Sequence, residues 1–192
     1  MEFIDKITVA VLAGGKSRRF GSSKLDALYK GKRLFDIALD IAASISPNVI
    51  VISNQVGLTT NLSYPIYPDI FIEKGPLAGI HSALKNAVSE HVAILPIDMP
   101  FLGKPIYKYL MTRYNCKVPV VVKSQKGLEP LVSIWPKAVL SEIESCLEQE
   151  HLGIFKCLHG LNADISEIPT TKNFDERVFI NINRKEDLNC LL

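Results

Sequence analysis

Short apolar runs alternate along the first half of the chain with segments in which apolar residues recur at helical spacing. Three runs, 7–12, 49–52 and 92–95, are apolar throughout except for Thr8, as in strands buried on both faces of a sheet. The helical spacing predicts helices over 34–45, from Gly75 to about Val88, and over 105–114. This alternation predicts a Rossmann-like, three-layer α/β/α fold with a mainly parallel sheet.

The second half of the chain predicts an antiparallel addition to that sheet. A strand over 118–122, a turn over 125–127 and a strand over 131–135 predict an antiparallel pair at one sheet edge. Further predicted elements are short strands over 64–67 and 163–168 and helices over 138–149, about 152–158 and around 185–188. The 192 residues contain no repeat, low-complexity segment or linker, so we predict one domain over 1–192.

Composition narrows the class of protein. Hydrophobic residues make up 47% of the chain and charged residues 22%, and the net charge is only +2, which indicates neither nucleic acid nor membrane as a partner. The four cysteines form no C-x-x-C pair, and no apolar run approaches the ~18 residues of a membrane span. The first residues are unlike a signal peptide, so we expect a cytoplasmic enzyme.

The loop after the first strand has the chemistry of a phosphate-binding segment. Gly14 and Gly15 allow a tight turn that brings bare backbone N–H groups against a ligand. The cations that follow are Lys16, Arg18, Arg19 and Lys24. N–H dipoles and cationic side chains together suit a polyphosphate, although the sequence fits neither the P-loop nor the dinucleotide fingerprint. The alternative is a solvated basic loop, which we favour for Lys16 and Arg18.

Lys24 and Arg19 are the cations that we predict to act in catalysis. Lys24 could lie across the α-phosphate and an acceptor phosphate, and the guanidinium fork of Arg19 could clamp the β- and γ-phosphates. Both could instead be exposed cations of a mobile loop. None of the four histidines shows ligand spacing. A phosphate monoester that accepts a transferred group is already largely ionised near neutral pH. Its oxygen can therefore attack without a general base to remove a proton.

Polar residues follow the apolar strands at the edge where α/β sheets bind ligands. Asp98 comes just after the third buried strand, and we predict that it binds a Mg²⁺ ion that accompanies a bound triphosphate. Asn54 and Asp69 suit recognition of a base or ribose, because a carboxylate accepts two hydrogen bonds from a guanine edge. Each of the three could equally be an ordinary turn or capping residue.

Four separated segments together resemble the molybdenum cofactor guanylyltransferase family, the MobA-type nucleotidyltransferases. The first is Leu-Ala-Gly-Gly-x-x-x-Arg-x-Gly-x-x-Lys over 12–24. The others are Gly-Pro-Leu-Ala-Gly over 75–79, Asp-Met-Pro over 98–100, and Phe-Ile-Asn-Ile-Asn over 179–183 followed by Glu-Asp-Leu over 186–188. The resemblance spans nearly the whole chain, in the order of the family.

This resemblance implies a nucleotidyltransferase fold and a Mg²⁺-dependent reaction that joins GMP from GTP to Mo-molybdopterin. It implies that GTP is bound by Leu12, Ala13, Gly14, Gly15, Lys24, Asn54, Asp69, Gly79 and Asp98, with Mg²⁺ on Asp98. Asn181 and Asn183 would face the pterin. Molybdopterin-delivering proteins, molybdoenzyme apo-proteins and chaperones are further partners that it implies.

The chain departs from the family pattern at three positions. Ser23 replaces an Asp before the loop lysine, Phe20 replaces a common Met, and Ile97 replaces a small or sulfur-bearing residue. Two other hypotheses therefore stay open. One is a cytidylyl- or sugar-1-phosphate nucleotidyltransferase of the same fold, and the other is a non-catalytic nucleotide-binding module.

Overall fold

A computed structural model describes residues 6–14, 24–55, 58, 64–168 and 176–189. Its strands are β1 (Ile7–Leu12), β2 (Leu28–Tyr29), β3 (Lys32–Arg33), β4 (Val49–Ile52), β5 (Ile66–Tyr67), β6 (His91–Pro96), β7 (Val120–Ser124), β8 (Gly127–Pro136) and β9 (Asp164–Glu167). Its helices are α1 (Leu34–Ile45), α2 (Pro76–Asn86), α3 (Lys104–Arg113), α4 (Leu140–Glu148), α5 (Ile154–Gly160) and α6 (Lys185–Asn189). Short 3-10 turns span Lys24–Asp26, Lys137–Val139 and Glu176–Phe179.

Seven strands form one sheet in the order β5-β4-β1-β6-β8-β7-β9. Strands β5, β4, β1 and β6 pair in parallel, whereas β8 runs antiparallel to both of its neighbours, β6 and β7. Helices α1 and α3 pack on one face, and α2, α4 and α5 on the other. The predicted three-layer α/β/α fold with a mainly parallel sheet is confirmed.

The sequence of β1 is apolar except for Thr8 because helices cover both faces of this strand. All six of its residues are buried. Val9 and Val11 belong to the core under α1 and α3, while Ala10 and Leu12 belong to the core under α2. Successive side chains of a strand point to opposite faces, so a strand covered by helices on both sides cannot carry a polar face.

The antiparallel pair was predicted at a sheet edge, and this position is wrong. β8 lies between β6 and β7, and β9 pairs in parallel with β7 as the outermost strand. The three valines that open β7 are fully buried, so β7 is covered on both sides. β9 carries Asp164, Ser166 and Glu167 among its four residues, a polar composition that suits an edge strand.

The loops that follow the parallel strands lie together along the edge of the sheet formed by the carboxyl ends of those strands. The carboxyl ends of β4, β1 and β6 lie side by side there, and the segments that follow them contain Asn54, Gly14 and Asp98. Neighbouring strands are about 4.8 Å apart, so the ends of β4 and β6 are separated by about 10 Å. No helix among the described residues is long and apolar enough to cross a membrane.

Helix α3 is tied to the sheet by one buried hydroxyl, which gives a test of the packing. Tyr107 is wholly buried, and its hydroxyl donates a hydrogen bond to the Ile94 carbonyl over 2.7 Å. We expect Tyr107→Phe to lower the free energy of unfolding by about 1–2 kcal/mol, because the bond is lost where no water replaces it. Urea denaturation measures this change.

The matched control is Tyr109→Phe on the same helix, whose hydroxyl donates to the Glu167 carbonyl at an exposed position. The free energy of unfolding of Tyr109→Phe should fall by no more than about 0.5 kcal/mol, because water can replace the lost hydroxyl as the donor to the exposed carbonyl. Equal losses in the two variants would contradict the assignment of the buried bond.

Candidate active site

Asn54 and Asp69 hold each other at the carboxyl ends of β4 and β5. The Asn54 side-chain amide donates to Asp69 Oδ2 over 2.8 Å, and the Asp69 backbone N–H donates to Asn54 Oδ1, also over 2.8 Å. Two reciprocal bonds fix the orientation of both side chains. The next backbone N–H, that of Ile70, donates to the Ser82 hydroxyl on α2 over 2.8 Å, so the segment after Asp69 is also anchored.

Two glycines leave the backbone bare beside the Asp69 carboxylate. A Cβ atom on Gly14 would lie 4.0 Å from Asp69 Oδ2, and one on Gly79 would lie 3.7 Å from Asp69 Oδ1 and 3.5 Å from the methyl groups of Leu12. The carboxylate therefore lies between the end of β1 and the first turns of α2. Side chains at either glycine would narrow the space that a ligand of Asp69 must enter.

Burial changes the acidity of Asp69. Desolvation raises the pKa of this half-buried carboxyl above its ordinary value, and the hydrogen bond from Asn54 partly opposes the rise. A partly desolvated carboxylate gains more from each hydrogen bond that it accepts than one in water. Asp69 is therefore suited to accept a pair of N–H donors from a ligand.

The loop that leads into α2 uses the backbone freedom of one glycine. Gly75 has φ of +74°, in the left-handed region, and Pro76 opens the helix directly after it. Proline suits the first turn of a helix because its missing N–H would have no partner there. This chemistry places Gly79 one turn further along, against Leu12 and Asp69.

Lys24 and Asp98 meet near the end of β6. Lys24 Nζ lies 3.0 Å from Asp98 Oδ2 and donates a second hydrogen bond to Asn183 Oδ1 over 3.2 Å. The two charged side chains are 13% and 25% exposed, so the pair is shielded from solvent more than a surface ion pair. Residues from three distant parts of the chain thus converge on one ammonium group.

Residues 181–187, the C-terminal strap, reach this ion pair from the end of the chain. The Ile182 backbone N–H donates to the Asp98 carbonyl over 2.8 Å. The Ile182 side chain is fully buried and forms a small apolar cluster with Leu34 at the start of α1, against which Leu188 packs. The strap is therefore fixed to the loop after β6 by a backbone bond and by an apolar anchor.

Asp187 sets the turn at the end of the strap. Its Oδ2 atom accepts the backbone N–H groups of Asn183, over 2.7 Å, and of Arg184, over 2.8 Å. These two bonds lower the pKa of Asp187 below its ordinary value, and the charges of Arg184 and Lys24 lower it further. We did not predict a role for this residue, although it belongs to the Glu-Asp-Leu segment of the family resemblance. In a capping box, an acidic side chain at the third helical position accepts the N–H of the N-cap residue. This motif could have indicated the role of Asp187.

The structure places the predicted residues in two groups along one sheet edge. Asn54, Asp69, Gly14, Gly79 and Leu12 form the first, and Lys24, Asp98 and Asn183 form the second. Ala13 joins β1 to β4: its N–H donates to the Ile52 carbonyl, and the Ser53 hydroxyl, which we did not predict, donates to its carbonyl. Asn181 is half-buried. Gly15, Lys16, Arg18, Arg19, Phe20 and Ser23 lie outside the described residues.

The donor atoms around Lys24 suit a hard divalent cation. A carboxylate oxygen of Asp98 and an amide oxygen of Asn183 already contact the same ammonium group, and oxygen ligands are those that Mg²⁺ takes. Within the described part of the chain, no three His, Cys, Asp or Glu side chains cluster to hold a metal. One or two protein oxygens fit an ion whose other ligands are substrate phosphates and water.

This arrangement defines a class of enzyme. The Asn54–Asp69 clamp and the Lys24–Asp98 pair both lie at the carboxyl ends of parallel strands, where open α/β sheets bind nucleotides, and their chemistry suits an α/β nucleotidyltransferase. The chain belongs to the MobA-like NTP transferase domain family, whose sequence model matches residues 9–161.

Individual proteins of known sequence agree with this assignment over nearly the whole chain. A "probable molybdenum cofactor guanylyltransferase" of Aquifex aeolicus is 32% identical over 96% of this chain and 90% of its own length. The molybdenum cofactor guanylyltransferase of Syntrophotalea carbinolica is 30% identical over 94% of this chain and 88% of its own. The crystal structure of molybdopterin-guanine dinucleotide biosynthesis protein A from Archaeoglobus fulgidus superposes with a TM-score of 0.80, at 26% identity and 95% coverage of both chains.

The bond between Asn54 and Asp69 gives a prediction about acidity. Asn54→Ala removes the donor that opposes the effect of burial, so we expect the pKa of Asp69 to rise further above its ordinary value. Carboxyl ¹³C chemical shifts, followed as a function of pH, measure it. Asn115→Ala, in the α3–β7 loop at the opposite sheet edge, should leave the Asp69 titration unchanged. An unchanged or lower pKa in Asn54→Ala would contradict the assigned role of the bond.

Proposed function

We propose that this protein transfers GMP from GTP to Mo-molybdopterin, forming the guanine dinucleotide and releasing pyrophosphate. The observation that carries the proposal is the meeting of Lys24, Asp98 and Asn183 at the same sheet edge as the Asp69 carboxylate, which lies next to Gly14 and Gly79. The names of the relatives supply the acceptor, because they describe guanylyl transfer in molybdenum cofactor synthesis.

The first group of residues suits the guanosine part of the donor. A guanine edge offers two neighbouring N–H donors, and the Asp69 carboxylate has two oxygens to receive them. Asn54 holds that carboxylate in place. Gly14 and Gly79 allow the nucleotide to lie directly on backbone, and cytosine lacks the paired donors that would satisfy Asp69. We therefore infer GTP rather than CTP as the donor.

The second group suits the triphosphate and its metal. Asp98, with water and phosphate oxygens, would hold Mg²⁺, which neutralises phosphate charge and draws electron density from the reacting centre when bound. The Asn183 amide oxygen is a further candidate donor. Lys24 supplies a fixed positive charge at the same point of the sheet edge. Arg19 and Gly15, which lie outside the described residues, are the further groups that we expect to bind the triphosphate.

The reaction then requires positioning and charge neutralisation. A phosphate oxygen of the acceptor forms a new bond to the α-phosphorus of GTP as the bond from that phosphorus to the pyrophosphate oxygen breaks. The acceptor oxygen is already ionised, so no proton moves in this step. Lys24 reduces the repulsion between the two anions and stabilises the charge that develops on the leaving pyrophosphate.

The remaining parts of the proposal concern the protein as a whole. We infer that residues 1–192 act as one domain in the cytoplasm, with no nucleic acid and no membrane as partner. The acceptor reaches the site on the side of Asn181 and Asn183. Molybdopterin-delivering proteins and apo-molybdoenzymes, or their chaperones, are the expected protein partners.

A direct assay tests the donor and the acceptor together. The purified protein is incubated with Mg²⁺, one nucleoside triphosphate and Mo-molybdopterin, and the products are separated by liquid chromatography and identified by mass. We expect the guanine dinucleotide and pyrophosphate with GTP, and little product with CTP. Equal or preferred use of CTP, or transfer to a sugar 1-phosphate instead, would contradict the proposal.

A variant of Asp98 tests its role. Asp98→Asn keeps the size of the side chain but removes the charge that would hold Mg²⁺ and that pairs with Lys24. We expect kcat/KM for GTP to fall at least about 100-fold, as for other losses of a group that stabilises the transition state. Asp40→Asn, which removes the α1 partner of Lys32 from an exposed ion pair, should change kcat/KM less than about twofold. A loss of similar size in both variants would contradict a specific role of Asp98.

A further inference from the structure

Asp187 holds the C-terminal strap by two hydrogen bonds to its backbone. Mobile water molecules would not hold these N–H groups in one fixed geometry. One oxygen, Oδ2, accepts two consecutive backbone N–H groups, those of Asn183 and Arg184. A single acceptor atom that binds neighbouring N–H groups fixes the peptide between them. The backbone at Asn183 is therefore held from the side that leads into α6.

The other side of Asn183 is held as firmly. Ile182, the residue before it, is fully buried and donates its N–H to the Asp98 carbonyl. Asn183 itself is exposed, so packing does not orient its side chain. Its amide oxygen nevertheless reaches Lys24 Nζ at 3.2 Å. The two backbone attachments on either side are what aim this side chain at the ammonium group.

The orientation of the Asn183 side chain matters because Lys24 has a long side chain with many rotamers. An ammonium group can leave one acceptor for another at little cost when only one contact holds it. With Asp98 and Asn183 as two acceptors, Lys24 Nζ is restricted to the position between them. Loss of the second acceptor would leave the lysine less often in its place beside Asp98.

We propose that Asp187 is a positioning residue for the transfer reaction, which acts by holding Asn183 where its amide oxygen fixes Lys24 beside Asp98. The inference rests on the proposed function, because the lysine–carboxylate pair is its centre. Asp187 accepts the backbone N–H groups of Asn183 and Arg184, so we place its effect at Asn183. Asp187→Asn separates this effect from the attraction between the Asp187 charge and Lys24.

The test compares Asp187→Ala with a matched control on the same short helix. Glu186 is the preceding acid and is exposed, so Glu186→Ala removes an equal charge without the backbone bonds. We expect Asp187→Ala to lower kcat/KM for Mg-GTP about 10-fold, because two charge-assisted hydrogen bonds are lost. Glu186→Ala should stay within about twofold of the parent. Asp187→Asn, which keeps an oxygen acceptor, should recover most of the activity.

A double-mutant cycle separates positioning from general stability. In the background of Asn183→Ala, Asp187→Ala should cause no further loss, because the side chain that it orients is already gone. Additive losses would overturn the proposal, since they would show that Asp187 acts by another route. If Asp187→Ala is too unstable to assay, the same cycle is run with Asp187→Asn, whose smaller loss should likewise vanish in the Asn183→Ala background.

A third measurement needs no substrate. Amide hydrogen exchange at Ile182 reports its bond to the Asp98 carbonyl, and we expect it to be about 10-fold faster in Asp187→Ala than in Glu186→Ala. Unchanged exchange at Ile182 would overturn the proposal even if activity fell. If instead the parent protein transfers nothing from GTP while exchange at Ile182 responds as expected, the proposed function fails and the structural role of Asp187 stands.

Discussion

The ion pair between Lys24 and Asp98 is the interaction around which the site is organised. A charged pair that is largely withdrawn from water loses hydration, and it persists only where further hydrogen bonds replace that water. Asn183 supplies such a bond to Lys24, and the bond from the Ile182 N–H to the Asp98 peptide carbonyl holds the strap that carries Asn183. The pair thus requires the C-terminal strap to be in place, which makes the last part of the chain a component of the site.

The same edge of the sheet combines this charged pair with a polar clamp formed by Asn54 and Asp69. Asn54 and Asp69 satisfy each other through two reciprocal bonds, and the glycines beside them keep side chains away from the carboxylate. Burial raises the pKa of Asp69, so ionising it costs more than ionising a carboxyl in water. A ligand that donates two N–H groups to this carboxylate offsets the cost, and on this physical basis we infer that Asp69 receives a guanine base.

The sheet supplies the spacing between these two groups. β1 lies between β4 and β6, so Gly14, which follows β1, stands between the clamp at Asp69 and the ion pair at Asp98. A nucleotide that spans the edge would place its base over one group and its phosphates over the other. The membership of the MobA-like NTP transferase family agrees with a reaction at this edge.

The sequence by itself determined the layers of the fold and the kinds of residue at the ligand edge. Continuous apolar runs such as 49–52 and 92–95 permit only strands covered on both faces, and the polar residues that end them must then lie at the strand tips. The partners were decided by tertiary structure. Lys24 and Asn183 are 159 residues apart, and nothing in either local sequence indicates that they touch. The outer position of β9 and the reciprocal bonds of Asn54 and Asp69 have the same origin. Local pattern specifies what each segment can form, whereas the contacts between distant segments depend on packing of the whole sheet and its helices.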